Sequence, residues 1–496
     1  MRKTGKSSIV KPENPAFILP ATVMAIVAFF TALGNIPVIF MSIIIVTGIM
    51  GYFIYRFELQ VQLLKSIAFT LPFSMEIPFL LDSMLRFPGE ILIITAAVVL
   101  VFEILNKPIK EVANSLHREF LWFAPLILAF IISIPFSEML FVSAKFSFVN
   151  ILYISVFLIF LARHLRKNPG LFSRLLLLYG AGIIIVALWG FYRLWQWEFN
   201  PVVMRGIFQP FYNDHTIFGA SAAILAAVFF FSGFQKQKSL NRFIVWVLSA
   251  GFTFLVIFST SRAAFLSLIF MLLVFTMIYL KIRIIHVFIT LVFLIAIVFV
   301  FRSGIQEQLT RVETISYDEN AGFLERTESA VNITTDMSNV ERLNRWVSAL
   351  RMFQKRPFTG FGPGTYQFTY IPFQEPELMN RLSVTNPWEP PEGSGGTAHS
   401  EYLLALSEMG ILGILGWIIL LGRWFYIAFE KSRNHPNRWF ILTAIAGLST
   451  YIFHANFNNF LTTDKFAFLF WGTAAWLIAN LYTYDTENKS QILPAD

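Results

Sequence analysis

Four short segments of the sequence carry the side chains best suited to chemistry, because each sets arginine or histidine at the edge of an apolar run. They are MRGIFQPFYNDH at 204–215, STSRAA at 259–264, ERLNRW at 341–346 and AHSEYL at 398–403. Arginine carries a planar, permanent charge that binds two phosphate oxygens at once. A neutral histidine accepts a proton from a hydroxyl near physiological pH. Together the segments predict a site that holds a diphosphate and activates a hydroxyl.

Each of these residues also has an ordinary structural interpretation. An arginine at a helix end, such as Arg262, is most often an anchor at the membrane surface. Arg205 and Arg345 stand in polar segments, where basic residues are usually solvated. His399 begins an apolar segment, and a histidine there is more often a cap or a packing residue. Convergence of these residues on one place is what would favour chemistry.

The sequence offers no set of residues typical of a metal or thiol-based site. It contains no cysteine, and its carboxylates and histidines do not cluster with metal-ligand spacing. The glycine turn GFGPG at 360–364 lacks the lysine and hydroxyl of a phosphate-binding loop, which indicates a simple turn. We therefore expect a reaction without a metal or other cofactor, in which arginine neutralises the leaving group.

The composition places these segments in a membrane protein. Hydrophobic residues make up 56% of the 496 residues and charged residues only 14%. A soluble fold could not bury so much apolar surface, whereas a bilayer favours it. The net charge of +8 does not indicate nucleic-acid binding, because the basic residues stand in short gaps between apolar runs, as topology signals do.

Apolar runs of about 20 residues cross the hydrocarbon core, and their number predicts an all-α polytopic fold with about 14 transmembrane helices. The weakest run is 61–77, because Pro72 and Glu76 interrupt it. The predicted spans are 16–33, 36–55, 61–77, 89–106, 119–137, 148–164, 174–195, 215–234, 242–259, 263–280, 284–301, 399–421, 439–459 and 464–482.

Basic residues between the spans predict the orientation. With a cytoplasmic N-terminus that acts as a start anchor, 23 of the 38 Lys and Arg residues face the cytoplasm and 15 face outward. Nine of those 15 lie in the segment 302–398, and long loops do not follow the positive-inside rule. Both termini are therefore predicted to be cytoplasmic. This orientation, derived without the four motifs, puts their main candidates on the outer side: Arg205, Arg262, Arg342 and His399.

The segment 302–398 is predicted to be a large helical loop on the outer side, because it is polar and too long for a connector. Ser338 and Glu341 predict a capping box that begins a helix. Arg342 and Arg345 are three residues apart and are expected to share a face of that helix. Its predicted buried face consists of apolar residues at helical spacing, namely Leu343, Trp346, Leu350 and Phe353.

These features predict five parts of the chain. They are an N-terminal transmembrane bundle (1–204), a transmembrane core with arginine motifs (205–301), the large outer loop (302–398), C-terminal transmembrane helices (399–482) and a cytoplasmic tail (483–496).

The motifs, in this order, resemble the bacterial O-antigen ligase and O-antigen polymerase family. RGIFQPFYNDHTIFG (205–219) is similar to the family's Arg-x-x-Gly loop, although Gly206 directly follows Arg205 here, and STSRAAFLSL (259–268) resembles its Ser-Arg turn. ERLNRWVSALRMFQKRPFTGFGPG (341–364) resembles its Arg-x-x-x-Trp helix with a Pro…Gly-x-Gly ending. AHSEYLLALSEMGILGILG (398–416) resembles its His-[Ser/Asn]-x-[Tyr/Phe]-Leu helix followed by Glu-x-Gly.

The resemblance implies a metal-independent glycosyltransferase in the bacterial inner membrane, with its site facing the periplasm. His399 would be the general base, and three arginines would bind the diphosphate of the donor: Arg205, Arg262 and Arg342. Arg342 is preferred to Arg345 because it lies four residues before Trp346. Accessory site residues would be Arg345, His215, Tyr402, Glu401 and Asp464. Glu408, about 14 Å along the helix from His399, is expected to be paired within the bundle.

The implied partners are an undecaprenyl-diphosphate-linked glycan as donor, an acceptor, and membrane lipids. The acceptor is open: lipid A-core would make the protein a ligase, which is slightly favoured, and another lipid-linked repeat unit would make it a polymerase. A protein hydroxyl is a third acceptor. A transporter or lipid flippase without chemistry is the alternative of another class, and it predicts ionisable residues near mid-membrane. Such charges are few in the predicted spans.

Overall fold

The computed structural model describes residues 36–78, 84–108, 118–235, 238–300, 337–391 and 396–492. Its helices are α1 (Ile36–Arg56), α2 (Gln60–Thr70), α3 (Gly89–Leu105), α4 (Ala124–Ser133), α5 (Leu140–Tyr153), α6 (Leu161–Lys167), α7 (Leu171–Gln196), α8 (His215–Ser232), α9 (Ser239–Phe258), α10 (Arg262–Tyr279), α11 (Ile284–Val300), α12 (Met337–Lys355), α13 (Tyr366–Thr369), α14 (Glu401–Phe429), α15 (Arg438–His454) and α16 (Asp464–Ile492). The strands are β1 (Met75–Pro78) and β2 (Met84–Phe87).

Seven helical segments of the described residues are long and apolar enough to cross a membrane. They are Arg118–Phe136, Leu140–Lys167, Leu171–Gln196, His215–Ser232, Ser239–Phe258, Arg262–Tyr279 and Glu401–Arg433. Helices α1, α3, α11, α15 and α16 lie at other predicted spans. The predicted span 16–33 falls outside the described residues, so the structure supports a polytopic helical protein and does not confirm a count of 14.

The predicted span 61–77 is wrong, and the otherwise helical fold contains a short β-hairpin at the end of that segment. Helix α2 has 11 residues, about 16 Å at 1.5 Å per residue, which is shorter than the hydrocarbon core. Pro72 follows in a 3₁₀ turn, and β1 then pairs with β2 as an antiparallel hairpin. Glu76 lies opposite Arg86 in this hairpin and forms an ion pair of 3.1 Å with it. Cross-strand charge pairing of this kind stabilises a strand over a helix there.

Contacts between loops follow the predicted alternation of sides. Segments predicted on the outer side contact one another through Asn213 and Glu76 (2.8 Å), Arg86 and the carbonyl of Thr462 (3.2 Å), and Arg356 and Glu138 (2.8 Å). Segments predicted on the inner side contact one another through Arg423 and Glu119 (2.7 Å), Ile284 N and Glu430 (3.3 Å), and Arg433 and the carbonyl of Ile282 (2.9 Å). These contacts support the order of the spans, while the periplasmic orientation stays a prediction.

Helices α8, α15 and α16 form the centre of the bundle. Residues 218–229, 441–451 and 464–479 are buried without interruption, and a helix that is buried all round belongs to a core. The outer ends of these three helices therefore adjoin the most continuously buried part of the described residues. Those ends carry His215, His454 and Asp464.

Candidate functional site

The end of α15 and the loop that leads to α16, residues 452–463, form the surface on which the predicted motifs meet. We call it the outer turn. Three hydrogen bonds fix the AHSEYL segment and the preceding Thr397 to it: Glu401 N to Ala455 O (2.9 Å), Tyr402 Oη to Ile452 O (2.9 Å) and Thr397 Oγ1 to Asn459 Oδ1 (2.8 Å). Glu401 also accepts hydrogen bonds from Tyr451 Oη (2.5 Å) and Leu461 N (2.9 Å). The carboxylate of Glu401 thus holds the beginning of α14 against the outer turn.

Two further motif-bearing helices pack on the same turn. The ring of Trp346, in the ERLNRW segment of α12, lies 6.2 Å from the ring of Phe457. The ring of Phe270, two turns into the helix that follows STSRAA, lies 5.2 Å from the ring of Phe453. Aromatic pairs at these separations contribute to packing. The outer turn therefore gathers elements that lie far apart in the sequence.

Asp214 completes the group from the loop before α8. Its carboxylate caps α8 by accepting a hydrogen bond from Thr216 N (2.7 Å), and it lies 3.5 Å from Nδ1 of His215. Burial tends to raise the pKa of Asp214, but the charge of His215, the hydrogen bonds from Thr216 and the charge of His399 hold that pKa below its usual value. The carboxylate is therefore ionised at neutral pH and lies within electrostatic range of His399.

His454, the last residue of α15, connects Asp214 with α12. The charges of both Asp214 and Arg342 act on its ring. Its Nε2 lies 2.9 Å from Nδ2 of Asn458, and the side chain is 1% exposed. One electrostatic neighbourhood around Asp214 and His454 thus contains three residues that were predicted from separate motifs: Arg342, His215 and His399.

The remaining predicted arginines, Arg205 and Arg262, lie on two other turns of the chain. Ser261 caps α10 through Ala264 N and places Arg262 in the first turn of that helix. The Ser259–Ser261 turn contacts α8 at Gly219, where a Cβ would clash with both serines. The turn that precedes Arg262 therefore lies against α8 about one helical turn away from His215. Arg205 is exposed on the 3₁₀ turn Pro201–Gly206.

The backbone of His399 has an uncommon conformation. Its φ is +49°, in the left-handed region that few residues other than glycine adopt without cost. Ser400, the next residue, caps α14 by accepting a hydrogen bond from Leu403 N (3.3 Å). The backbone therefore changes direction at His399, immediately before α14 begins. The side chain of His399 is half-buried. Strain of this kind clusters at functional sites.

The buried face of α12 is the opposite of the predicted one. Leu350 of the predicted apolar stripe is 45% exposed. The face that is buried carries polar and apolar residues together: Glu341, Asn344, Arg345 and Ser348 with Met337, Val340, Ala349 and Met352. Ser338 lies inside the helix, so the predicted capping box is also wrong. Polar residues can form a buried face here because their groups bond one another and the loop.

Arg345 is the centre of that buried polar network and is completely inaccessible. Its Nε donates to Glu341 (2.8 Å) and its Nη1 donates to the carbonyl of Thr397 (2.8 Å). Glu341 also accepts a hydrogen bond from Ser383 (3.0 Å). Arg345 and Arg342 are therefore in different environments, and Arg345 holds the chain two residues before His399.

Glu408 has a partner that sequence reasoning did not find. Helix α14 is broken at Gly410, where φ is +61°, and the glycine turn 360–364 lies against the break. Both carboxylate oxygens of Glu408 accept backbone hydrogen bonds, from Gly364 N (2.8 Å) and Tyr366 N (2.9 Å). Non-helical backbone within a span is tolerated where protein covers it. The GFGPG segment is therefore a docking element that ties the outer loop to α14.

Asp464 belongs to a second polar cluster, at the hairpin. It is completely buried, and the charges of Arg86 and Lys465 act on it. Nζ of Lys465 donates to the carbonyls of Ser74 (2.7 Å) and Phe211. This cluster and the Asn213–Glu76 hydrogen bond hold the hairpin against residues 211–213. The chain just before Asp214 is thereby fixed in place.

Asp214, His454 and Asn458 are members of this site that sequence reasoning missed. The sequence YIFHANFNN at 451–459 puts a histidine and three asparagines at the outer end of an apolar span. The predicted orientation puts polar side chains at that position on the outer side, together with His399. They stand outside the four segments that carry the predicted site residues.

A sequence comparison agrees with the resemblance noted above. A family model described as O-antigen ligase matches residues 244–418. The matched segment contains Arg262, Arg342 and His399, whereas the outer turn lies beyond it. No curated protein matches the chain. The membrane helices and the matched segment together support a membrane protein that contains an O-antigen ligase domain at residues 244–418.

Proposed function

We propose that the protein transfers a glycan from undecaprenyl diphosphate to an acceptor hydroxyl at the periplasmic face of the bacterial inner membrane. One observation carries this proposal. Arg342 and His399 come from different elements, yet both lie in the neighbourhood of Asp214 and His454. The charge of His399 acts on Asp214, and the charges of Asp214 and Arg342 act on His454. An anion-binding group and a base in one neighbourhood are what displacement of a diphosphate by a hydroxyl requires.

The reaction is a displacement at the anomeric carbon of the donor sugar. The acceptor oxygen forms a bond to that carbon, and the bond from the carbon to the diphosphate oxygen breaks. His399 takes the hydroxyl proton, and the charge of Asp214 stabilises the imidazolium that forms. The diphosphate leaves with the bonding electron pair, and its negative charge is bound by three guanidinium groups, those of Arg205, Arg262 and Arg342.

We favour lipid A-core as the acceptor, which would make the reaction a ligation. Polymerisation uses the same displacement with a second lipid-linked repeat unit as acceptor, and transfer to a protein hydroxyl differs only in the nucleophile. An assay with purified protein and lipid-linked donor, offered each acceptor in turn, separates these outcomes by the product formed.

The assignment of His399 is tested by His399→Ala in that assay. Loss of a general base reduces the rate by about 10²–10⁴-fold, while binding of the donor persists because the arginines remain. His286→Ala is the matched control, since His286 is exposed near the inner end of α11, and this variant should transfer at the normal rate. Full glycan transfer by His399→Ala would show that His399 is not the base.

A further inference from the structure

The histidine at the end of α15 has one ring nitrogen engaged and one that is not. Nδ2 of Asn458 faces Nε2 of His454 at 2.9 Å. With this amide orientation Nε2 accepts the hydrogen bond, and the neutral ring carries its proton on Nδ1. Nδ1 is buried and has no hydrogen-bond partner among the residues that the structure describes.

A buried donor without an acceptor is uncommon in folded proteins. The ring is held on one side by Phe460, whose ring lies edge-on at 5.1 Å. The charged groups that act on the ring come from other elements, Asp214 from the loop before α8 and Arg342 from α12. A polar ring nitrogen beside an arginine of the diphosphate site points to a negatively charged ligand as its partner.

We propose that His454 is a substrate-binding residue whose Nδ1–H donates a hydrogen bond to a diphosphate oxygen of the donor lipid. Asn458 is the positioning residue, because its amide fixes the ring and its tautomer. His454 takes no part in proton transfer, and it acts beside Arg342 by binding the same anion. This inference rests on the proposed function in one respect, the identity of the anion as a lipid diphosphate.

Two isosteric variants separate the roles of the two ring nitrogens. His454→Asn places an amide nitrogen close to the position of Nδ1, whereas His454→Gln places one close to the position of Nε2. The full chain in nanodiscs is titrated with undecaprenyl diphosphate, and binding is followed by its tryptophan fluorescence. We expect His454→Asn to bind nearly as well as the unmodified protein. His454→Gln should bind about tenfold more weakly, as for loss of one hydrogen bond to a charged group.

The reverse order, or equal affinity of the two variants, would overturn the proposal and leave His454 with a purely structural role through Asn458. A measurement on the unmodified sequence covers the case in which a variant does not fold. With ¹⁵N-labelled histidine, the protonated Nδ1 resonance of His454 should shift when undecaprenyl diphosphate is added. An unchanged resonance at saturating lipid would contradict the proposal.

The proposed function fails in a different way. If the protein binds undecaprenyl diphosphate with the expected order of variants but transfers no glycan to any acceptor, the function is wrong and the role of His454 stands. If it transfers glycan while His454→Gln binds normally, the function stands and the role of His454 is wrong.

Discussion

The buried network of α12 and the outer-turn neighbourhood both concentrate charge on the predicted outer side, but they differ in accessibility. Arg345 is 0% exposed and is engaged with Glu341 and with the carbonyl of Thr397. Beside the outer turn, the side chain of Asp214 is 44% exposed, and Nδ1 of His454 has no partner among the described residues. The first region has satisfied its charges internally and is closed to solvent, whereas the second exposes the carboxylate of Asp214.

This difference in accessibility indicates different roles for Arg342 and Arg345, which lie three residues apart. A buried arginine that bonds a carboxylate and a carbonyl maintains the loop, and removal of it leaves a buried charge behind. The charge of Arg342 acts on His454, in the same neighbourhood as the exposed carboxylate of Asp214. A ligand can reach an arginine in such a place. The motif ERLNRW therefore combines a structural residue, Arg345, with a proposed binding residue, Arg342.

Arg345→Met should have the largest effect on stability. It leaves the carboxylate of Glu341 buried with its ion-pair partner removed, which costs about 3–5 kcal/mol. Thermal unfolding in detergent and limited proteolysis of the outer loop would measure this loss. Arg351→Met is the control on the same helix, because the side chain of Arg351 is 40% exposed. Its pair with Glu375 and its hydrogen bonds to the carbonyls of Phe373 and Gln374 are partly exposed, so their loss should cost less than the loss of Arg345. Equal destabilisation by both variants would erase the distinction between the two regions.

Arg342→Lys should affect binding and leave stability nearly unchanged. Lysine keeps the charge but loses the two-pronged hydrogen bonding to phosphate oxygens. We expect affinity for undecaprenyl diphosphate to fall about 10- to 100-fold, as for one or two hydrogen bonds to a charged group. Arg351→Lys, which changes the same residue type two turns away, should bind normally. A stability loss in Arg342→Lys as large as that in Arg345→Met would place Arg342 in the structural class.

Asp214→Asn should change the pH dependence of transfer. The pKa of Asp214 lies below its usual value, so its negative charge is present throughout the neutral range and favours the protonated form of His399. Without that charge, His399 is protonated only at lower pH, and the acidic limb of the pH–rate profile should move down by about one unit. A limb that stays in place would show that Asp214 does not act on the base.

Removal of divalent cations should have the smallest effect, because arginines bind the leaving group in the proposed mechanism. Transfer measured in excess EDTA is expected to equal transfer without it. A loss of activity that Mg²⁺ restores would show that the outer-turn neighbourhood needs a metal to complete it.

Much of this site could be anticipated from patterns local to each segment. Basic residues in short loops predicted a common side for Arg262, Arg342 and His399, and the family match over 244–418 includes all three. The face of α12 could not be anticipated, because a helical stripe is interpreted on the assumption that its apolar side is buried. The opposite side, which carries Arg345 and Glu341 among apolar residues, is buried instead, since these two charged groups satisfy each other there.

The sequence by itself determined the membrane character, the spacing of the motifs and the expected sidedness, since these depend on residues close together in the chain. Only the tertiary structure decided which groups meet. His454 and Asp214 are separated by most of the C-terminal half of the chain, and they act on each other because α8 and α15 pack side by side. The break of α14 at Gly410 likewise exists only because the glycine turn supplies the hydrogen bonds that the helix gives up.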